Sequence, residues 1–112
     1  MIFIREHVKG EALTETTFLV LLSVYQPNHG YGIMQFIEKV TGGRVQLGAG
    51  TLYGAINTLA KKQWIAPVAN ADHGNKKEYL ITELGKRVAE RELQRLKELQ
   101  RIATTIMGGA SE

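Results

Sequence analysis

Apolar residues crowd the stretch after Thr14. Phe18, Leu19, Leu21, Leu22 and Tyr25 predict a core helix from about Glu15 to Tyr25. Thr14 is a candidate cap, because a hydroxyl can satisfy an unpaired first-turn N–H. Gln26-Pro27-Asn28 ends the helix, since the residue before proline avoids helical angles. Ile33, Ile37 and Val40 then recur at helical spacing and predict a second helix from about His29 to Thr41, with Asn28 as its cap. Gly42-Gly43 stops it. Val45-Gln46-Leu47 reads as a stub strand. Leu52, Ile56 and Leu59 mark the buried face of a third helix over roughly Ala49 to Gln63. After Trp64 the period shortens: Ile65 to Asn70 and Lys76 to Ile81 read as two strands around the turn-rich Ala71-Asp72-His73-Gly74-Asn75. Pro67 cannot donate to a ladder and predicts an edge strand. A long helix capped by Thr82 follows from about Glu83 to Met107, with Leu84, Val88, Leu93, Leu96, Leu99, Ile102 and Ile106 along one stripe. Gly108 to Glu112 reads as a loose tail.

Three helices, a hairpin and a long helix make a mainly α (α+β) chain. That order is the layout of a winged helix-turn-helix with a C-terminal dimerisation helix. The predicted division is a head over residues 1–81 and a dimerisation helix with its tail over 82–112. At 1.5 Å per residue the last helix reaches ~36 Å, more than one small head needs to cover its own core. Its surplus stripe, Leu93, Leu96, Leu99, Ile102 and Ile106, calls for a partner, and a second copy is the simplest. The ten charged residues between Glu83 and Arg101 read as a solvated face with i,i+4 pairs such as Glu83–Arg87 and Lys86–Glu90.

Composition alters this picture in three ways. The chain has 112 residues and no cysteine, so one domain is expected and disulfides and thiolate metal sites are excluded. Met1-Ile2-Phe3-Ile4 is too short for a signal segment, and Phe18 to Leu22 too short for a membrane span. A soluble cytoplasmic protein without membrane contact is expected. The net charge is only +3, but residues 42–82 carry Arg44, Lys61, Lys62, Lys76 and Lys77 against Asp72 and Glu78, so the cationic surplus is local. That is what phosphate binding needs.

Candidate chemistry follows from the third helix. Opposite its buried side lie Thr51, Gly54, Ala55, Thr58, Lys61 and Lys62, a small, polar and basic face without a carboxylate. Such a face can enter the major groove of double-stranded DNA while the second helix crosses the backbone and the hairpin sets Lys76 and Lys77 on flanking phosphates. Tyr53, between the two sides, fits packing with its hydroxyl towards phosphate as well as base contact. His29 is either a phosphate donor or an ordinary first-turn residue. Tyr31 reads first as packing and second as a phosphate contact. Trp64 reads as core beneath the wing. Enzymatic readings find no support: His7, His29 and His73 are dispersed, Gly48, Gly50 and Gly54 match no dinucleotide motif, and Ser23 and Ser111 lie in an apolar helix and the tail. No cofactor or metal is expected.

Four segments carry a resemblance. Asn28-His29-Gly30-Tyr31-Gly32-Ile33, Gly50-Thr51-Leu52-Tyr53, Gly74-Asn75-Lys76-Lys77-Glu78-Tyr79 and Thr82-Glu83-Leu84-Gly85 resemble, in order, the second helix start, recognition helix, basic wing and last helix start of the PadR family. With its single short last helix, the chain is similar to the compact subfamily. The resemblance implies a sequence-specific regulator of transcription, usually a repressor released by a small-molecule effector. It fits a homodimer on a pseudo-palindromic operator; the motifs and the polar face of the third helix together put Asn28, His29, Tyr31, Gly50, Thr51, Tyr53, Thr58, Lys61, Lys62, Lys76 and Lys77 at the DNA. The chain departs from the family at Gly48-Ala49, where serine-proline is frequent, at Gly54, a frequent proline, and in wing lysines where arginines are common. No tryptophan lies on the last helix, which disfavours stacking of planar drugs at the dimer seam. The competing readings are a winged-helix protein-interaction module and a small-molecule sensor without a DNA target of its own.

Overall fold

The computed structural model describes residues 12–69 and 77–109. The elements are α1 (Glu15–Leu22), β1 (Asn28–His29), α2 (Gly30–Val40), α3 (Ala49–Lys61), β2 (Ile65–Val68), β3 (Glu78–Ile81) and α4 (Glu83–Met107). The expected helix, helix, helix, hairpin, long helix order is present. The first four residues, the hairpin tip at 71–75, Lys76 and residues 110–112 of the tail lie outside the described residues.

Thr14 caps α1 by accepting from the Thr17 N–H (3.1 Å). The helix ends at Leu22, earlier than expected, and Ser23 closes it with its Oγ on the Val20 carbonyl (2.6 Å). Tyr25 falls beyond this end and is exposed rather than in the core. The cap of α2 is His29, not Asn28: the His29 Nδ1 accepts from the Gly32 N–H (3.3 Å). Asn28 instead braces the turn, its Nδ2 donating to the Ser23 carbonyl (3.2 Å) and its Oδ1 accepting from the His29 N–H (2.9 Å). Gly42 and Gly43 end α2 with φ of 62° and 84°, a left-handed turn that glycine adopts freely. Val40 lies 54% exposed, because its turn extends past the packed part of the helix.

The sheet is antiparallel with order β1-β3-β2. Its third member is a difference from expectation. Asn28 and His29 pair with Tyr79 and Glu78, whereas Val45-Gln46-Leu47 forms no strand. The place beside β3 is already taken, and Val45 and Leu47 pack against the core as part of a loop held by the Val45 N–H on Thr41 Oγ1 (3.1 Å). Pro67 sits on edge strand β2 opposite Tyr79, where its missing N–H costs no ladder bond.

Val20, Leu21, Val24, Ile33, Ile37, Leu52, Ile56, Leu59, Ile65 and Ile81 form the core, and Val88 and Ala89 of α4 join it. Where α3 meets α4 the backbones come very close. Gln63 takes φ 65°, closing α3 through the Gln63 N–H to Ala60 O (2.9 Å) and Trp64 N–H to Leu59 O (3.0 Å) bonds. The Thr82 hydroxyl donates to the Gln63 carbonyl (2.7 Å), accepts from the Gly85 N–H (3.0 Å), and the Thr82 N–H reaches the Trp64 carbonyl (2.9 Å). A Cβ on Gly85 would collide with the Trp64 carbonyl oxygen and come within 2.8 Å of Ile81 Cγ1.

The ion pairs of α4 differ in spacing from those expected. They are i,i+3: Glu83–Lys86, Glu92–Arg95 and Glu98–Arg101. Glu92 is buried, a feature the charge pattern did not single out. It accepts from Arg95 at 2.6 and 3.0 Å and from the Leu13 N–H at 3.4 Å, tying α4 to the start of α1. The Arg95 hydrogen bonds hold its carboxyl below the ordinary value against the opposing effect of burial, and the Leu13 N–H adds to the lowering.

Two predictions follow from these contacts. Gly85→Ala is expected to cost about 1–3 kcal/mol in chemical denaturation, because the added methyl meets backbone on one side. Because the folded-state pKa of Glu92 is depressed, its stabilisation is present above the unfolded-state value and lost as pH falls from about 5 downwards. Glu92→Gln should therefore lower the melting temperature at neutral pH and flatten its decline in acid; an unchanged acid limb would count against this role.

Candidate nucleic-acid interface

The outward side of α3 is built by the burial of the other. With Leu52, Ile56 and Leu59 fully buried, Gly50, Thr51, Tyr53, Gly54, Asn57, Thr58, Lys61 and Lys62 are exposed. No acidic residue lies on this helix. Gly48 precedes it without a side-chain cap, so the first-turn N–H groups keep their capacity to donate. Ala55, expected on the polar side, is half-buried against the core.

The residues at the second helix assemble around its N-terminus. A Cβ on Gly30 would overlap the Tyr53 hydroxyl and approach the ring at 2.8 Å, which places Tyr53 across the first turn of α2. In the α2 cap the His29 Nδ1 is the acceptor for the Gly32 N–H, which leaves Nε2 as the nitrogen that can donate. Tyr31 is 62% exposed, so packing does not account for it. The β1–β3 pairing sets His29 opposite Glu78, and Lys77, exposed at the base of the wing, immediately precedes it. The structure thus brings His29, Tyr31, Tyr53 and Lys77 to one end of the face. Lys61 and Lys62 lie at the other end of α3, about 15 Å along its axis from Thr51. Asn28 has both ends of its amide engaged in the turn. Lys76 lies outside the described residues.

Two expected cations have internal partners. Arg44 forms a two-pronged pair with Glu15 (Nη1 to Oε1 3.2 Å), so it braces the loop after α2 against α1. That hydrogen bonding holds the Glu15 carboxyl below its ordinary value. The ammonium of Lys62 lies 5.1 Å from the centre of the Trp64 ring, a contact worth about 0.5–1 kcal/mol where exposed. Trp64 itself is half-buried, packed against the core as expected and presenting one face to Lys62. Asn57, absent from the residues singled out by sequence, stands on the exposed side; its signal was the 3.6-residue period counted from Gly50 and Lys61.

At the far end of the molecule, one face of α4 changes character along its length. Gly85, Val88, Ala89 and Glu92 are buried on it. The continuation of the stripe is bare, with Leu93 at 46%, Leu96 at 37%, Leu99 at 51%, Ile102 at 39% and Ile106 at 71% exposure. No helix among the described residues is long and apolar enough to cross a membrane.

A helix-turn-helix joined to a hairpin, with α3 presented outward, defines the winged-helix class. Solved structures agree. The fold is similar to a PadR-like transcriptional regulator from Bacillus cereus (TM-score 0.70, 21% identity, 85% of this chain and 93% of that one). It is similar to a PadR-family transcriptional regulator from Eggerthella lenta (TM-score 0.67, 21% identity, 82% and 77%). It is also similar to a mutant MarR of E. coli (TM-score 0.68, 19% identity, 89% and 69%). The model of the PadR-like family of transcriptional regulators matches residues 18–91, and the chain belongs to that family. An uncharacterised 37.1 kDa protein of a Streptomyces fradiae transposon is 41% identical over 66 residues, which make up 59% of this chain but only 18% of that relative.

Proposed function

We propose that this chain is a sequence-specific double-stranded-DNA-binding transcriptional regulator acting as a homodimer, with residues 1–81 as the reading head and 82–112 as the dimerisation helix and tail. The observation that carries the reading is the outward side of α3, where every exposed side chain is small, neutral or cationic. A phosphate-lined groove accepts such a surface and repels a mixed one. Gly50, Thr51, Thr58, Lys61 and Lys62 lie in or beside the major groove. His29 Nε2, Tyr31, the Tyr53 hydroxyl and the wing pair Lys76 and Lys77 hold the backbone, where such contacts fix register without reading sequence. Asn28 acts through the turn that seats His29.

The bare half of the α4 stripe supports the symmetric pair. A row of exposed leucines and isoleucines continuing a buried face is a partner surface, and a second copy supplies the same row. Two heads held this way would present their α3 helices about one DNA turn, ~34 Å, or a multiple of it apart, on a pseudo-palindrome. Repression by promoter occlusion, released by a small-molecule effector in the cytoplasm, is the regulatory mode the family membership supports.

Duplex binding measured across salt concentrations tests the reading. The double variant Lys61→Ala/Lys77→Ala is expected to weaken all sequences alike and to lower the salt slope by up to ~2. Affinity independent of salt, or no affinity at low ionic strength, would overturn it. For the dimer, Leu99→Glu should raise the dimer dissociation constant at least ~30-fold, about 2 kcal/mol, in sedimentation, while helical circular dichroism is retained. A wild-type chain that sediments as a monomer would exclude the symmetric pair.

A further inference from the structure

The outward side of α3 holds Gly50, Gly54 and Asn57, each of which weakens a helix relative to alanine. None has a reason among the described residues. Neither glycine has a left-handed φ, and a Cβ added at either would meet nothing within 4 Å. The Asn57 carboxamide is exposed and makes no hydrogen bond among the described residues. Their sequence spacing places them together. Asn57 lies seven residues after Gly50, about 20° off its line on the helix, and one turn before Lys61.

Resting on the DNA-binding reading above, we propose that Asn57 reads an adenine in the major groove of each half-site, and that Gly50 and Gly54 let the α3 backbone come close enough for it to do so. The chemistry selects this residue over its neighbours. A carboxamide offers a donor and an acceptor together, matching N7 and the N6 amino group of adenine, and no other base presents that pair in the major groove. Thr51 and Thr58 have one hydroxyl each and serve any base or a phosphate, and the lysines favour guanine or phosphate. Asparagine is also short. A β-carbon side chain of any size at position 50 or 54, one or two turns nearer the N-terminus on the same side, would hold the helix off the base edges. Glycine at both removes that obstacle at the expense of helix stability.

The test is enrichment of bound duplexes from a random pool by wild type and by Asn57→Ala, read by sequencing, with melting temperatures taken in parallel. Alanine favours the helix, so this variant folds. The expected result is a half-site with one adenine whose preference falls roughly 10- to 100-fold in Asn57→Ala, while neighbouring positions and the salt slope stay as in wild type. Gly54→Ala should raise the melting temperature and weaken binding to the enriched site, two effects of opposite sense that a purely structural glycine would not produce. Retention of the adenine preference by Asn57→Ala overturns the assignment. Unweakened binding by Gly54→Ala overturns the close approach. A wild-type protein that binds duplex but enriches no adenine overturns the inference and leaves DNA binding standing; one that binds no duplex overturns both.

Discussion

The geometry of the molecule depends on the junction where the end of α3 meets the start of α4. The Thr82 side chain caps α4 through the Gly85 N–H and holds the Gln63 carbonyl, while its backbone N–H takes the Trp64 carbonyl. Gly85 is required because only hydrogen can face the Trp64 carbonyl there. Gln63 is held in the left-handed region, a conformation costing about 1–2 kcal/mol for a side chain with a Cβ, because its N–H bonds to the Ala60 carbonyl and its own carbonyl accepts from the Thr82 hydroxyl. With that junction closed, the direction of α3 is set relative to α4. Two copies paired along α4 would then fix the separation of two α3 helices.

Much of the fold was legible from the period of apolar positions. Leu52, Ile56 and Leu59 announced the buried side of α3, and Thr82 and the stripe after it gave α4 its true bounds. Local capping was less legible. Asn28 and His29 are both plausible caps by residue type, and only the turn geometry, with Asn28 Nδ2 on the Ser23 carbonyl, decides that histidine takes the position. The third strand was missed because two residues carry no period at all. The stub expected at Val45 to Leu47 had the right residue types, yet both sides of β3 are taken by β1 and β2.

At the candidate site, charge read from sequence overstated the cations free for phosphate. Arg44 and Glu15 are far apart in the chain, so no local pattern could show that they pair. Lys62 lies over Trp64 for the opposite reason: the two are close in sequence, but the contact depends on the left-handed turn at Gln63 between them. Asn57 was passed over because a face was sought by its charge. Residues without charge, and without a partner among the described residues, are as informative about what an outside surface must supply.

Glu92 marks the boundary between the buried and the bare stretch of α4. Before it, Val88 and Ala89 belong to the core; after it, the same stripe is bare. A buried carboxylate in that position is tolerable only because Arg95 and the Leu13 N–H both bond to it. Those bonds also anchor the start of α1 to the helix, so any change in how the bare stripe is covered acts next to the bond that holds α1 and α4 together. Since α4 is unbroken from Glu83 to Met107, a rotation imposed at its far end must either turn the junction with α3 or bend a helix that has no proline and no interior glycine after Gly85. The first course is the easier one, and it ties the direction of α3 to how the far end of α4 is covered.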